Sequence, residues 1–385
     1  MIRTVHIENY KSITNLDLEL GRVTVLIGAN GSGKSNLLEA VAIASAASQD
    51  KLENEFLSSR GIRVTETRFM RAAFEIPPAR FSKHGEVAVD GSLLLEKTEI
   101  EISGESGVAF GCELEPDEGT SYPRWNTTFK TRAEDFRSYL KSIGLPADAD
   151  VTFEILRSVM MRKSGTLPGF LIYAPENSSL RIFQSEGQIL PLGYKGEGLF
   201  AHLKWLHAPA HADRLLKIKE KLDLIDWFET FDIPSDLAPG ERSIRIRDRY
   251  LPAGVLFDQR SANEGFLFLL FYLTLFLSPE TPAFFAIDNV DASLNPKLCT
   301  EMIRQLASLA AEYDKQVIFT THNPAILDGL DLANPEHRLI VVDRNKSGHT
   351  RVRRVEAPKP GSGESPVSLS AAFTRGYIGG LPKNF

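Results

Sequence analysis

The sequence predicts an α/β fold that contains a mixed sheet, an antiparallel β lobe and a helical subdomain. Short apolar runs at 22–27, 283–288 and 316–321 are typical of strands buried in a parallel sheet. Segments between 60 and 130 alternate apolar and polar residues, which indicates an antiparallel sheet. Between 133 and 230 the apolar spacing becomes helical but never sustains heptads, so we expect no long coiled coil.

Composition is that of a globular protein with an ordinary charge content. The 385 residues are 43% hydrophobic and 24% charged, with a formal net charge of −6, which argues against a wholly basic nucleic-acid-binding surface but leaves room for a local basic patch. Cys112 and Cys299 lack metal-ligand spacing and are expected to be small core residues in a reducing compartment. The N-terminus lacks the apolar block of a signal peptide. The longest apolar run, 266–277, is shorter than the about 20 residues that span a bilayer. We therefore predict a cytoplasmic protein without membrane contact.

A glycine-rich segment at 28–35, GANGSGKS, matches the pattern GxxxxGK[ST]. A buried strand is predicted before it at 22–27 and a helix after it at 36–47, which is the context that a phosphate-binding loop requires. Its glycines let successive backbone N–H groups point at phosphate oxygens, and the helix N-terminus adds partial positive charge. We predict that Lys34 binds the β- and γ-phosphates and that Ser35 binds magnesium. The alternative is a glycine-rich turn without a ligand.

Further elements are predicted on either side of this loop. Residues 1–27 are predicted to form a β-meander with strands at 2–8 and 14–20 and a third strand that leads into the loop. The predicted strands of the β lobe are 68–76, 92–102, 108–115 and 124–130, and the predicted helices are 133–143, 149–163, 196–207 and 211–230. The polar stretch 173–193 has no role that the sequence indicates.

Several motifs occur in the order found in one ATPase group. The segments are IENYKSI at 7–13, the phosphate loop, SANEG at 261–265, ASLNP at 292–296 and TTHNP at 320–324. From Ile7 to His322 the chain therefore resembles ABC-type ATPases of the SMC/RecF/OLD-like group. The resemblance implies a P-loop NTPase with the fold of an SMC-like head, and the lack of sustained heptads indicates that this head has no coiled-coil arms. It also implies ATP and Mg²⁺ as cofactors.

The resemblance assigns the second half of the nucleotide site to later segments. The segment 261–265 resembles the signature motif of these ATPases. Its Ser261 would stand at a helix N-terminus and meet the γ-phosphate held by a second subunit, although Ser261 with Glu264 is also the pattern of an ordinary capping box. The segment 292–296 resembles the D-loop, which crosses the dimer interface in ABC heads. The predicted nucleotide-binding residues are Asn30, Gly31, Gly33, Lys34, Ser35, Asn36, Ser261, Asn263 and Gly265.

Catalytic residues are expected at the ends of two buried strands. Asp288 ends an apolar strand, as the Walker B aspartate does, and would orient magnesium through water. Most ABC ATPases carry glutamate at the next position, but here it is Asn289, which can position a water by hydrogen bonds but cannot take its proton. Hydrolysis is then slow, uses Asp291 instead, or gives way to long-lived ATP binding. His322 resembles the H-loop histidine that contacts the γ-phosphate.

Two features outside these motifs leave alternatives open. Arg245, Arg247 and Arg249 would share one face of a strand, as a solvated edge or as a surface that contacts anions. Strands are predicted at 338–343 and 350–356. A linker at 357–366 then precedes a tail that docks either on its own domain or on a partner.

We therefore divide the chain into an ATPase head at 1–356 and a linker with C-terminal tail at 357–385. Within the head, 60–130 is the antiparallel lobe, 133–260 the helical insertion that approaches the signature, and 261–356 the segment from the signature to the C-terminal strands. About 30 residues follow the last predicted strand, fewer than the about 50 of a small domain, so no nuclease domain is expected there.

The compact head and the tail sequence RGYIGGLP resemble stand-alone ATPases of anti-phage defence systems, such as Septu-type and retron-associated ones. This resemblance implies a sensor or regulator that forms a homodimer or higher homo-oligomer and controls a separately encoded effector nuclease. The first alternative is a RecF-like repair clamp that binds DNA. The second is the ATPase subunit of a transporter, but the signature departs from the transporter form LSGGQ.

Overall fold

The structure is a computed structural model that describes residues 1–65, 70–72, 97–105, 109–117, 124–130, 141, 166–356 and 367–381. The chain forms two compact units, each of which is described by itself. The first consists of Met1–Gly21, Gly28–Phe170 and Ile340–Arg354. The second consists of Arg22–Ile27, Leu171–Leu339 and Val355–Phe385.

The secondary-structure elements are numbered in chain order within the described residues. The strands are β1 (Ile2–Tyr10), β2 (Ile13–Glu19), β3 (Val23–Ile27), β4 (Thr98–Gly104), β5 (Ala109–Asp117), β6 (Arg124–Lys130), β7 (Ile172–Tyr173), β8 (Phe228–Asp232), β9 (Arg245–Asp248), β10 (Phe284–Ile287), β11 (Gln316–Thr321), β12 (His337–Arg344) and β13 (Thr350–Val355). The α-helices are α1 (Lys34–Ser48), α2 (Asn54–Ser59), α3 (Asn177–Arg181), α4 (Leu199–Leu206), α5 (Ala212–Leu222), α6 (Glu264–Leu277), α7 (Pro296–Glu312) and α8 (Leu369–Thr374).

The first unit contains an antiparallel sheet in the order β2-β1-β4-β5-β6. Its core face is set by alternation, because Val5 and Ile7 of β1 are buried while Thr4 before them is exposed and His6 between them is half-buried. Helix α1 packs against β1, β4 and β5, and nearly all of its residues are buried. The predicted antiparallel lobe is confirmed, and it extends to β1 and β2.

The second unit contains a parallel sheet in which β3, β11, β10 and β7 lie side by side. All residues of β3, β10 and β11 are buried, which is why their sequences are continuous apolar runs instead of alternating ones. The predicted meander over 1–27 is therefore wrong for its third strand, which pairs with β11.

Helix α6 forms the core of the second unit. From Phe266 to Leu277 all of its residues are buried, as expected for a helix that is apolar on every side. Phe276 packs edge-on against Phe285 of β10 with a ring-centroid distance of 5.2 Å and stacks on Phe319 of β11 at 6.3 Å. Within the described residues, no helix has both the length and the apolarity needed to cross a membrane.

One predicted helix is too long. The helix expected at 211–230 ends at Leu222, and β8 follows and pairs with β9. An irregularity in the register between Phe228 and Thr230 lets Phe228 and Phe231 both be buried, and Phe228 lies 5.5 Å from Phe266 between ring centroids. Burial of both phenylalanines therefore favours a strand instead of a helix in this segment.

Other predictions fall wholly or largely on residues that are not described. These are the strand at 68–76, the helices at 133–143 and 149–163, and the linker at 357–366. The start of the strand predicted at 92–102 also lies outside, and β4 is described from Thr98.

We predict a pH dependence of stability from His202, which is 4% exposed and whose Nε2 lies 2.7 Å from Ser278 Oγ. Burial, and then the charges of His211 and Lys315, lower the pKa of His202 to about 4. Between pH 6.5 and 4 the unfolded chain binds more protons here, so stability falls as pH falls, by on the order of 2 kcal/mol. Urea unfolding at pH 7 and pH 4.5 measures this loss, and it should be smaller in His202→Gln. Equal losses in both proteins contradict the assignment.

Candidate nucleotide-binding site

The glycine-rich segment forms a loop in the first unit that leads into α1. Gly31 and Gly33 have φ of 73° and 112°, in the left-handed region that favours glycine. Lys34 is buried, and its Nζ donates to the carbonyl oxygens of Gly28 and Ala29 at 2.8 and 3.1 Å. The ammonium group is thus held against the backbone of the loop.

Other predicted residues of the loop differ in exposure. Asn30 and Gly31 are exposed, and Ser35 and Asn36 are half-buried at the start of α1. The loop therefore presents its first turn to solvent and its lysine to the interior.

The backbone and side chains of the loop suit a phosphate chain. A Cβ atom at Gly28 would lie 2.1 Å from the carbonyl oxygen of Val342, so only glycine allows this close approach of two backbones. The Ser32 hydroxyl is buried and has no hydrogen-bond partner among the described residues. A buried hydroxyl, a lysine and a helix N-terminus on a glycine loop suit phosphate oxygens. We conclude that these residues fit a nucleotide phosphate group.

In the second unit, the carboxylate of Asp288 follows β10 directly. The Thr320 hydroxyl donates a short hydrogen bond to Asp288 Oδ1, and the same hydroxyl accepts from the backbone N–H of Asn289 at 2.9 Å. One β11 threonine therefore fixes both the carboxylate and the backbone that follows it. Sequence reasoning missed this residue, although a polar residue near the end of a buried strand could have indicated it.

Asp291 and His322 are placed by the next residue of the same strand. Thr321 Oγ1 donates to Asp291 Oδ1 at 2.6 Å and accepts from the N–H of Asn323 at 2.9 Å. His322 lies between these two anchored residues and is exposed directly after β11. Two adjacent threonines of β11 therefore anchor Asp288 and Asp291, and His322 follows the second of these threonines directly in the chain.

The backbone conformation at position 289 favours asparagine. Its φ is 54°, in the left-handed region, and its side chain is exposed. Asparagine is several-fold enriched in this conformation, whereas a longer side chain such as glutamate is not. The backbone after β10 therefore favours asparagine independently of any role in hydrolysis.

The signature segment begins before α6, but its first residue does not cap the helix. Asn263 is the N-cap, and its Oδ1 accepts from the N–H of Phe266 at 2.8 Å. Ser261 lies two residues earlier and is exposed, with its N–H bonded to the carbonyl oxygen of Asp258 at 3.1 Å. The capping-box alternative for Ser261 and Glu264 is therefore wrong.

Helix α3 holds this segment in place, which assigns a role to part of the stretch 173–193. Arg181 Nη1 donates to the carbonyl oxygens of Arg260 and Ala262. These bonds fix the backbone on both sides of Ser261. Arg181 could not be predicted from the sequence, because a single arginine in a polar stretch forms no pattern.

Glu264 links the signature segment to the D-loop segment. Its two carboxylate oxygens accept from Asn177 Nδ2 at 2.6 Å and from Ser293 Oγ at 2.7 Å. A Cβ atom at Gly265 would lie 3.2 Å from Leu294 Cδ2, so the two segments pack closely. Ser261, Asn263 and Gly265 therefore belong to one anchored surface of the second unit.

Three parallel strands of the second unit end at the same edge of their sheet. Strands β3, β11 and β10 run in the same direction, so their carboxyl ends lie at one edge of the sheet. Ile27, Thr321 and Ile287 are their last residues. Ligands of open α/β sheets bind at such an edge.

Comparisons with known proteins agree with this arrangement. Residues 1–106 match the family described as "AAA ATPase domain", and residues 197–328 match the family described as "AAA domain, putative AbiEii toxin, Type IV TA system". The first match contains the phosphate loop. The second contains the signature segment, Asp288 and His322.

Two curated relatives match shorter stretches. An OLD nuclease of Thermus scotoductus is 25% identical over 126 residues, which are 32% of this chain and 22% of that protein. The uncharacterized protein MJECL10 of Methanocaldococcus jannaschii is 39% identical over 67 residues, 16% of this chain and 31% of that protein. The chain thus spans less than a third of the length of either relative.

A solved SMC head, bound to the C-winged helix domain of ScpA, is similar in fold, with a TM-score of 0.51 and 16% identity over 92% of this chain and 98% of that one. The predicted fold of an SMC-like α/β head is thereby confirmed.

Proposed function

We propose that this chain, an ATPase of the AAA, SMC and OLD type, is an ATP-gated switch that works as a homodimer. The phosphate loop of each copy binds the phosphates of MgATP, with Lys34 and Ser35 in the roles expected for this motif. The Ser261 segment of the other copy then closes over the γ-phosphate. Bound MgATP supplies the negative charge that joins the two copies.

One observation carries this proposal. Ser261 is exposed, its own helix is capped by Asn263 instead, and the backbone on both sides of it is fixed by Arg181. A serine that is held rigidly but takes no part in its own helix cap is suited to a ligand from outside the chain. Its neighbour Glu264 ties the segment to Ser293, so the D-loop forms part of the same surface.

Asn289 supports a switch that holds ATP for long periods. An amide can orient a water but cannot accept its proton, so turnover then depends on Asp291. Asp291 is anchored by Thr321 and therefore has a fixed position. Because ATP binding and dimerisation each strengthen the other, slow hydrolysis prolongs the dimer.

We further propose that the dimer controls a separately encoded effector nuclease in anti-phage defence. Two findings support this: the motif resemblance and the match to an OLD nuclease, which covers 22% of that relative.

The alternative of a DNA-binding clamp depends on the arginines around β9, and their surroundings argue against it. Arg245 pairs with Asp236 at 2.8 Å, Arg247 with Glu229 at 3.5 Å and Arg249 with Asp223 at 2.6 Å. Each exposed arginine thus has an acidic neighbour, and the local charge is balanced.

We expect the double variant Arg245→Glu plus Arg247→Glu to keep the wild-type affinity for duplex DNA within about twofold, because the balanced charges release few counterions. Fluorescence anisotropy with labelled duplex at several salt concentrations and with ATP measures this. A loss of tenfold or more, with a shallower salt dependence, would favour the clamp.

Light scattering of the wild-type protein with and without MgATP tests the proposed switch. The expected result is a monomer mass without nucleotide and a dimer mass with it. An unchanged mass at saturating ATP contradicts the proposal.

A further inference from the structure

A chain of hydroxyl groups supports the phosphate loop from behind, within the first unit. Thr350, the first residue of β13, is 3% exposed, and its Oγ1 lies 3.0 Å from the carbonyl oxygen of Ser32 and 2.6 Å from Ser12 Oγ. Ser12 is 5% exposed and accepts from Asn36 Nδ2 at 2.7 Å. Neither Ser12 nor Thr350 belongs to the predicted nucleotide-binding residues.

The groups at the two ends of this chain of hydrogen bonds determine which group donates in each bond. The Asn36 amide nitrogen can only donate, and the carbonyl oxygen of Ser32 can only accept. Ser12 must therefore donate to Thr350, and Thr350 must donate to Ser32. Each hydroxyl donates once and accepts once, so the buried chain is satisfied from end to end and breaks if either hydroxyl is removed.

Thr350 also contacts the next residue of the loop. A Cβ atom at Gly33 would lie 2.2 Å from Thr350 Oγ1 and 2.8 Å from its Cγ2. Gly33 has a φ of 112° and precedes Lys34, the first residue of α1. The threonine thus occupies the space beside the glycine while it holds the preceding carbonyl group.

By holding that carbonyl group, Thr350 also orients a backbone N–H group that can donate a hydrogen bond to phosphate. The carbonyl of Ser32 and the N–H of Gly33 belong to one planar trans peptide and point in opposite directions. Because Thr350 binds the oxygen on the inner side, the N–H of Gly33 is turned away from Thr350. Backbone N–H groups of such loops are the groups that bind phosphate.

We propose that Thr350 and Ser12 are positioning residues for nucleotide binding, which set the peptide between Ser32 and Gly33 before the phosphates arrive. The inference rests on the proposed function, since it concerns the same loop. It adds two residues from distant parts of the chain, one in the turn after β1 and one at the start of β13.

The test compares ATP affinities by isothermal titration calorimetry, with thermal melting of each nucleotide-free protein alongside. Thr350→Val keeps the shape but removes the hydroxyl, and we expect about tenfold weaker binding, since it leaves buried partners unsatisfied. Thr350→Ser keeps the hydroxyl and should remain within about threefold of wild type. Thr14→Val is the matched control, since the Thr14 hydroxyl of β2 lies 3.3 Å from His349 Nδ1 and belongs neither to the hydroxyl chain nor to the loop; it should also remain within about threefold.

The outcomes are distinguishable. A purely structural role for Thr350 would lower the melting temperature but leave the affinity of the folded protein unchanged, and that result overturns the inference alone. If the wild type itself does not bind ATP, the proposed function and this inference both fail. If Thr350→Val does not fold, Ser12→Ala replaces it, with an expected loss of about fivefold, and unchanged affinity in that variant overturns the inference.

Discussion

Replacement of Lys34 by alanine is expected to weaken ATP binding by about a hundredfold or more. The ammonium group is buried at the start of α1 and lies against the phosphate loop. Charge-assisted hydrogen bonds of this kind contribute about 1.5 to 3 kcal/mol each, and tenfold in affinity corresponds to about 1.4 kcal/mol. Calorimetric titration with ATP measures the loss.

The control for this variant is Lys204→Ala, which removes an exposed lysine from α4. It should bind ATP like the wild type. If Lys34→Ala is folded and retains ATP affinity within threefold, the loop is not the nucleotide site.

Replacement of Ser261 by arginine is expected to abolish the ATP-dependent dimer while each monomer still binds ATP within about twofold. Ser261 is exposed and its backbone is anchored, so a long cationic side chain would project from the surface that we propose to face the second copy. The phosphate loop, in the other unit, is unaltered. Light scattering gives the mass, and titration of the dilute protein gives the affinity.

Ser347→Arg is the matched control, because Ser347 is an exposed serine in the turn before β13. It should dimerise with ATP like the wild type. A dimer of normal stability in Ser261→Arg would remove Ser261 from the interface.

Local patterns were enough to predict the α/β fold and the strands, loop and helix on which the motifs lie. The phosphate loop, the strand that ends before Asp288 and the buried helix 266–277 are each encoded within a few consecutive residues. Continuous apolar runs identified the parallel strands because those strands are buried on both faces. The same logic failed for 1–27, where three strands in succession were assigned to one sheet although β3 belongs to another.

The supporting residues could not be predicted because their partners are distant in sequence. Thr350 binds a carbonyl group 318 positions away, and Arg181 binds the signature segment 79 and 81 positions away. A threonine or arginine alone has no periodicity or spacing that indicates such a contact. Likewise, the conformation of Asn289, at a φ of 54°, is a property of the turn and not of the motif.

Mixing two variants that are each expected not to dimerise tests most directly the central claim that two copies share the nucleotide sites. In an ATP-dependent dimer with shared sites, Lys34→Ala provides an intact Ser261 segment and Ser261→Arg provides an intact phosphate loop, so their heterodimer has one complete site. Light scattering should give monomers for each variant alone with MgATP, and a dimer fraction when the two are combined. Monomers in the mixture, while the wild type dimerises, would contradict a shared site.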